Sequence, residues 1–319
     1  MTSTTVIVPT CNGGARLRRL LRSLEPSEAQ IVVIDNGSTD GTGAMLRREF
    51  PTVELVALPS NHGFARAVNA GAARAEGRAL VLLNDDCVCD PGFVTALAAA
   101  LEPGRDVVMA AAVLREARDP GLIDSAGMAL DPTLLVFDYL NGEPVSALEG
   151  EVADPVGPSA AAAAFDTHAF LELGGFDENL FAYWEDVDLV LRLRQAGGQC
   201  VLAKAARGTH EHSATLGSGS AAKNYLTGFG RGYLLRKWSV LTPARAPGVA
   251  ARELAICAGQ ALIDRNTSGV RGRIEGFAAA RRVEPRPYPA GLLEPAVGGT
   301  LMARARRRRR LRARLREAA

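Results

Sequence analysis

Cysteine is scarce in this chain, and its number is odd: five in 319 residues. Cys87-Val88-Cys89 is neither a zinc nor a thioredoxin spacing. No disulfide framework is expected, and a reducing cytosol is the expected compartment. Long hydrophobic runs are missing too. No apolar stretch approaches the ~18–20 residues of a membrane span, so a soluble or peripheral protein is expected. The N-terminus passes directly into the β-branched run Thr5-Val6-Ile7-Val8, and no secretory leader is expected. No Gly-x-Gly-x-x-Gly follows that run, which argues against a dinucleotide enzyme. Positive charge is thin in one sense only. The formal net charge is +2, yet nine arginines fall between positions 304 and 316, with Glu317 the one acid beside them. The rest of the chain is therefore net acidic. A tail so basic suggests an anionic partner, either nucleic acid or a membrane surface.

What is present is apolar material in short blocks. Hydrophobic residues make up 47% of the chain, enough for a full core. Ala79-Leu80-Val81-Leu82-Leu83 has the length of a strand buried on both faces, as in a parallel α/β sheet. It runs straight into Asn84-Asp85-Asp86, at the carboxyl end where ligands of open α/β sheets bind. Adjacent carboxylates repel, and a site that keeps them usually supplies a cation. Asn and Asp oxygens suit Mg²⁺ or Mn²⁺, ions commonly shared with a phosphate. The plainer reading of the same residues is a solvated turn before the helix that follows Pro91.

Strands are also expected at 5–8, 31–34, 53–58 and 107–113, with helices after the first three. The alternation predicts a doubly wound parallel sheet. Leu17, Leu20, Leu21 and Leu24 recur at helical spacing. Asp35 ends the second strand, where an acid accepts hydrogen bonds from a base or ribose; an Asx turn in Asn36-Gly37-Ser38 explains it equally well. Residues 122–151 read as a hairpin-like insertion beside the site. The small-residue run 160–164 suits either close approach of a ligand or helix packing, and packing is favoured. Glu185 and Asp186 open a helix whose dipole favours acids, and either serves as a general base there. Tyr183 and Trp184 wall an acceptor pocket or simply pack. Cys200-Val201-Leu202-Ala203 is expected as a short strand, with His210 and His212 in the loop beyond it. A loop histidine is more often solvated than liganding.

Taken together, Val8-Pro9-Thr10, Asp35-Asn36-Gly37-Ser38-Thr39-Asp40-Gly41, Asn61-His62-Gly63-Phe64-Ala65, Leu83-Asn84-Asp85-Asp86, Gly174-Gly175-Phe176-Asp177-Glu178, Trp184-Glu185-Asp186-Val187-Asp188 and His210 carry a resemblance. In this order they resemble the inverting GT-A glycosyltransferases of the large bacterial family two, in the rhamnosyltransferase-like branch. The match covers roughly residues 4–215. The resemblance implies an α/β GT-A fold: a doubly wound, mostly parallel nucleotide-binding sheet with helices on both faces. It implies a nucleotide-sugar donor, a divalent metal (Mg²⁺ or Mn²⁺), and inversion at the anomeric carbon. Pro9, Thr10 and Asp35 would hold base and ribose, with Asn61 and Gly63 near the nucleotide. Asn84 and Asp85 would lie at the donor, Asp86 and His210 would hold the metal, and Asp186, with Glu185 beside it, would act as base. Asn84 stands where many relatives carry Asp, and Asp166 where a basic residue is common.

The expected organisation is a catalytic domain over 1–220, with a nucleotide-sugar half over 1–115 and an acceptor half over 116–220. A helical extension over 221–303 and an Arg-rich tail over 304–319 follow. Tyr225, Phe229, Tyr233, Leu234 and Trp238, interleaved with Lys223, Arg231, Arg236 and Lys237, form an aromatic–basic segment. Relatives often use lipid-linked acceptors, which favours an anionic membrane surface as the partner of the tail. No nucleic-acid motif accompanies the charge. The expected reaction moves a sugar, L-rhamnose from dTDP-rhamnose being the leading donor, to a cell-envelope glycan or polyprenyl-linked acceptor at the inner face of the plasma membrane. The rival readings are a nucleotidyltransferase, which would want a better Gly-rich loop than Asn12-Gly13-Gly14-Ala15-Arg16, and an inactive sugar-nucleotide-binding scaffold.

Overall fold

A computed structural model describes residues 4–24, 28–101, 106–211 and 219–292. The tail at 304–316 and His212 lie outside the described residues. The expected doubly wound, mostly parallel sheet is present. Its strands are β1 (Thr4–Thr10), β2 (Gln30–Asn36), β3 (Glu54–Leu58), β4 (Ala79–Leu83), β5 (Cys87–Cys89), β6 (Val107–Glu116), β7 (Ile123–Ser125), β10 (Ala162–Asp166) and β11 (Gln199–His210). The spatial order is β3-β2-β1-β4-β10-β6-β11-β5, and β7 pairs with β6. β8 (Met128–Leu130) and β9 (Val136–Asp138) form a separate antiparallel hairpin. That hairpin lies within the expected insertion.

Alternate residues of each central strand face two cores. Ile7, Val32, Leu80 and Leu82 point to one; Val6, Val8, Val33, Val81 and Leu83 point to the other. Helices cover both faces, which is why these strands read as unbroken apolar runs. On the second face α1 (Gly14–Leu24) buries Leu17, Leu20, Leu21 and Leu24. It is joined by α2 (Thr42–Glu49), through Met45 and Leu46, and by α4 (Phe93–Ala99). On the first face lie α3 (Phe64–Ala72), α5 (Thr167–Glu172) and α6 (Glu185–Gln195).

Two expectations of local structure are corrected. The alanine run, for which helix packing was favoured, is β10, an antiparallel strand between β4 and β6 with Ala163 opposite Leu82 and Ala111. Alanine prefers helix. Here position wins: the strand is covered on both faces, and Ala162 and Ala164 fill one core while Ala163 and Phe165 fill the other. The second correction concerns His210. The strand expected to end at Ala203 continues to His210, with a register shift between Leu202 and Arg207. A bulge of this kind breaks the alternation that marks a strand in sequence.

The core continues past residue 220. In α7 (Ala221–Lys237), Tyr233 and Leu234 belong to the first cluster, as does Trp238 just beyond it. Trp238 Nε1 donates to Asp188 Oδ1 at 3.1 Å, and Lys237 Nζ lies 2.8 Å from the same oxygen and 2.6 Å from Asp177 Oδ2. Asp188 is fully buried and also takes Arg192 at 2.8 Å. Its task is therefore to anchor α7 to α6. α8 (Ala246–Gly259) and α9 (Ser268–Ala279) complete the described chain. α9 crosses α7 on glycines: a Cβ on Gly232 would sit 2.1 Å from the Arg273 carbonyl oxygen, and one on Gly276 would sit 1.9 Å from that of Phe229. α8 buries only Val249. Leu254, Leu262 and Ile263 stand in solvent, the last 82% exposed.

Candidate active site

The carboxyl end of β4 opens into the turn Asn84-Asp85-Asp86, closed by the Cys87 amide donating to the Asn84 carbonyl at 3.1 Å. β5 then runs back along the end of β11 and pairs Cys87 with His210. The Glu211 amide donates to the Asp86 carbonyl at 3.1 Å. This pairing brings His210 to the acidic turn across more than a hundred residues of sequence. His210 Nε2 lies 3.2 Å from Asp86 Oδ1, and His210 Nδ1 lies 2.7 Å from Asp124 Oδ2. All three residues are buried.

The Asp86 contact lacks the geometry of a hydrogen bond, and among the described residues Asp86 Oδ1 has no hydrogen-bond partner. A buried oxygen and a ring nitrogen turned toward one spot fit a shared cation. Cys87 Sγ lies within the same 4.8 Å group, but it donates to the Ala161 carbonyl and burial holds the thiol well above its ordinary pKa. Asp86 offers a carboxylate oxygen, which suits Mg²⁺ or Mn²⁺, and His210 an imidazole, a ligand more typical of transition-metal ions than of Mg²⁺. Burial alone would lower the His210 pKa. The hydrogen bond to Asp124 and the charges of Asp86 and Asp124 outweigh it and hold the pKa at about 9.

Asp85 is occupied by the protein itself. Thr10 Oγ1 donates to its Oδ2 at 2.6 Å, and Arg16 Nε lies 3.2 Å from its Oδ1. Burial raises its pKa against both contacts. Arg16, which the sequence offers only as the end of the poor Gly-rich loop 12–16, lies on α1 and pairs with Asp85. Pro9 is buried in β1. Asp35 Oδ1 accepts from the Ser38 amide, three residues on, at 2.9 Å, so the carboxylate holds the following turn. Asn61 Oδ1 accepts from Asn36 and from the Gly63 amide. Gly63 has φ +89°, and a Cβ there would meet the Phe181 carbonyl oxygen at 2.4 Å. The glycine is thus required where the 61–63 loop packs on the segment that precedes α6.

The second cluster lies across Ala160 and Ala161. The Asn84 amide donates to the Ala161 carbonyl at 3.0 Å, and the next residue back, Ala160, donates its amide to Asp186 Oδ2 at 3.2 Å. One dipeptide therefore ties the metal-candidate turn to the start of α6. Asp186 Oδ1 accepts from the Val187 amide at 2.8 Å, and its side is half-buried. Burial raises its pKa, the Ala160 and Val187 amides oppose this, and the charge of Asp138 adds to the rise. Glu185 is buried with Oε2 unpartnered among the described residues. Burial, and then the neighbouring Asp186, push its pKa well above the carboxylate range.

Tyr183 and Trp184, at φ 70° and 76°, both occupy the left-handed region. Two such residues in sequence are strained, and Trp184 is held in place by α7. Its Nε1 donates to the Thr227 carbonyl at 2.9 Å, and the Arg231 guanidinium lies 5.6 Å from its ring centre. Tyr183 is half-buried, with Lys223 Nζ 5.7 Å from its ring centre.

A mostly parallel sheet, with Asx-rich turns at its carboxyl end, an Asp–His pair after β4 and acids at a helix start, is the architecture of the GT-A fold. Residues 5–124 match the family model described as glycosyl transferase family 2, and the chain is a glycosyltransferase. It is 28% identical over 242 residues to the N-acetylglucosaminyl-diphospho-decaprenol L-rhamnosyltransferase of Mycobacterium tuberculosis, which covers 68% of this chain and 78% of that protein. The fold is shared with GalNAc-T7, solved with UDP, GalNAc and Mn²⁺, at a TM-score of 0.61 and 17% identity. That match covers 89% of this chain and only 55% of GalNAc-T7. The mannosyltransferase PcManGT of Pyrobaculum calidifontis, solved with GDP-Man and Mn²⁺, matches at a TM-score of 0.52 and 19% identity, covering 95% of this chain and 82% of that one.

Proposed function

We propose that this glycosyltransferase moves a sugar from a nucleoside-diphosphate donor to a hydroxyl of a glycan or polyprenyl-linked acceptor, by one metal-assisted displacement that inverts the anomeric carbon. The observation that carries the reading is the Asp86–His210 pair, tied through Ala160-Ala161 to Asp186. Asp86 and His210 would hold Mg²⁺ or Mn²⁺. Bound there, such an ion would supply positive charge against the charge that builds on the departing pyrophosphate. Pro9, Thr10, Asp35, Asn61 and Gly63 line the nucleotide side, with Asn84 and Asp85 at the donor phosphates.

Asp186 takes the proton of the acceptor hydroxyl as it attacks. Burial raises the Asp186 pKa, which makes the carboxylate a stronger base. Burial and the neighbouring Asp186 raise the Glu185 pKa, which disfavours a second charge beside the base. Tyr183 offers its ring to the acceptor, and Trp184 fixes the strained turn that aims both acids. Base catalysis contributes about 10²–10⁴-fold; positioning and the metal supply the remainder.

L-rhamnose from dTDP-rhamnose is the leading donor, supported by the name of the mycobacterial relative, and a lipid-linked diphosphosugar is the leading acceptor for the same reason. No helix of the described residues is long and apolar enough to cross a membrane. The nine arginines at 304–316 and the exposed Leu254, Leu262 and Ile263 support seating at the anionic inner face of a plasma membrane. The test is a panel of nucleotide sugars with Mn²⁺, read by thermal shift and by nucleotide release. Stabilisation and turnover with one dTDP- or UDP-linked sugar are expected. A panel in which no nucleotide sugar binds or turns over refutes the reading.

A further inference from the structure

His210 shows one ring nitrogen to Asp86 and the other to Asp124. An imidazole binds a metal only through a nitrogen that carries no proton. Which nitrogen that is depends on the hydrogen bond made by the other. Asp124 Oδ2 stands 2.7 Å from Nδ1, and a carboxylate only accepts, so the proton belongs on Nδ1. In the neutral ring, the form that can bind a metal, Nε2 is then the nitrogen without a proton, and it is the one that faces Asp86.

Asp124 is itself held on a rigid element. It is the central residue of β7, whose neighbours Ile123 and Ser125 pair with Arg115 and Leu114 of β6. The Ile123 amide donates to the Glu143 carbonyl at 2.8 Å, and the Gly142 amide donates to the Ile123 carbonyl at 2.7 Å. Asn141 Nδ2 donates to the Asp124 carbonyl at 2.8 Å. The residue is 6% exposed. The insertion at 122–151, which supplies the β8–β9 hairpin, thus begins by reaching across to the metal-candidate histidine.

We propose that Asp124 is a positioning residue that fixes the ring orientation and tautomer of His210 for a divalent cation. The proposal rests on the metal reading above. Carboxylate partners of ligating histidines recur because they hold the ring and raise its basicity, and losing one typically weakens metal binding about 10–100-fold.

The experiment titrates the full chain with Mn²⁺ alone, following free Mn²⁺ by electron paramagnetic resonance. Asp124→Ala is expected to bind Mn²⁺ about 10–100-fold more weakly than the wild type, and added formate, which refills the vacated acceptor, is expected to restore part of the loss. The control is Asp131→Asn. Asp131 is equally buried at 3% exposure and lies in the same insertion, but it serves the Thr133 and Leu135 amides; this variant is expected to keep wild-type Mn²⁺ affinity. If Asp124→Ala does not fold, Asp124→Asn keeps the shape with a weaker acceptor and is expected to lose affinity several-fold. Wild-type affinity in the Asp124 variants, an equal loss in Asp131→Asn, or a loss that formate leaves untouched overturns the positioning role alone. A wild-type chain that binds no Mn²⁺ overturns the metal reading and this proposal with it.

Discussion

Lowering the pH should weaken divalent-metal binding, and the structure gives the size of the effect. Metal-free His210 has its pKa held at about 9. The metal needs Nε2 without a proton. At pH 7 about one molecule in a hundred has a neutral ring, so binding costs about two pKa units, or roughly 3 kcal/mol. Apparent Mn²⁺ affinity should therefore rise about tenfold per pH unit between 7 and 8.5, with about one proton released per ion bound. The same shift bears on metal-free stability. The folded pKa is raised from 6.5, so its contribution is full below about pH 6.5 and is lost as pH rises through about 9. Its size is on the order of 3 kcal/mol. Mn²⁺ titration by calorimetry at several pH values, in buffers of different ionisation enthalpy, reads both slope and proton count. A flat profile, or the same slope in His210→Gln, refutes the reasoning.

Asp186→Asn should cut transfer by about 10²–10⁴-fold while nucleotide binding with Mn²⁺ stays within a few-fold, because the donor's phosphates are held elsewhere; lost donor binding would make Asp186 a donor residue. Gly232→Ala should lower Tm. Helix propensity alone would favour alanine by about 1 kcal/mol, but its Cβ would meet the Arg273 carbonyl at 2.1 Å, and overpacking costs about 1–3 kcal/mol; an unchanged or higher Tm would contradict the α7–α9 contact. A chain ending at Ala303 should sediment less with phosphatidylglycerol vesicles than the full chain, and the difference should shrink with salt as screening falls below ~8 Å. Equal sedimentation would remove the arginine tail as an anchor.

The N-terminal half of the fold was legible because its signals are local. Short apolar runs that end in Asp35 or in Asn84-Asp85-Asp86 carry both the strand and the acids that close it. Leu17, Leu20, Leu21 and Leu24 needed only their spacing, and all four are buried on α1. What was missed depends on partners distant in sequence. β10 is a strand because β4 and β6 flank it, which five small residues cannot announce. β11 hides behind a bulge, so His210 read as a loop residue although β5 pairs with it. Asp124 falls within the expected insertion with only a faint signal of its own, an acid between Ile123 and Ser125-Ala126, and its burial against His210 appears only when β7 lies on β6. Asp85 and Thr10 were expected at the donor, and the structure shows them also bound to each other. The aromatic–basic segment proved to be α7, where Tyr233 and Trp238 sit in the core and Lys237 neutralises Asp177 and Asp188.

The central claim is one displacement at a metal-held donor with Asp186 as base. The direct measurement is proton NMR of the anomeric signal during turnover of the accepted nucleotide sugar with Mn²⁺. The account predicts a product whose anomeric configuration is opposite to that of the donor, with turnover abolished by EDTA and restored by Mn²⁺. A product that retains the donor configuration, or turnover indifferent to EDTA, would contradict it.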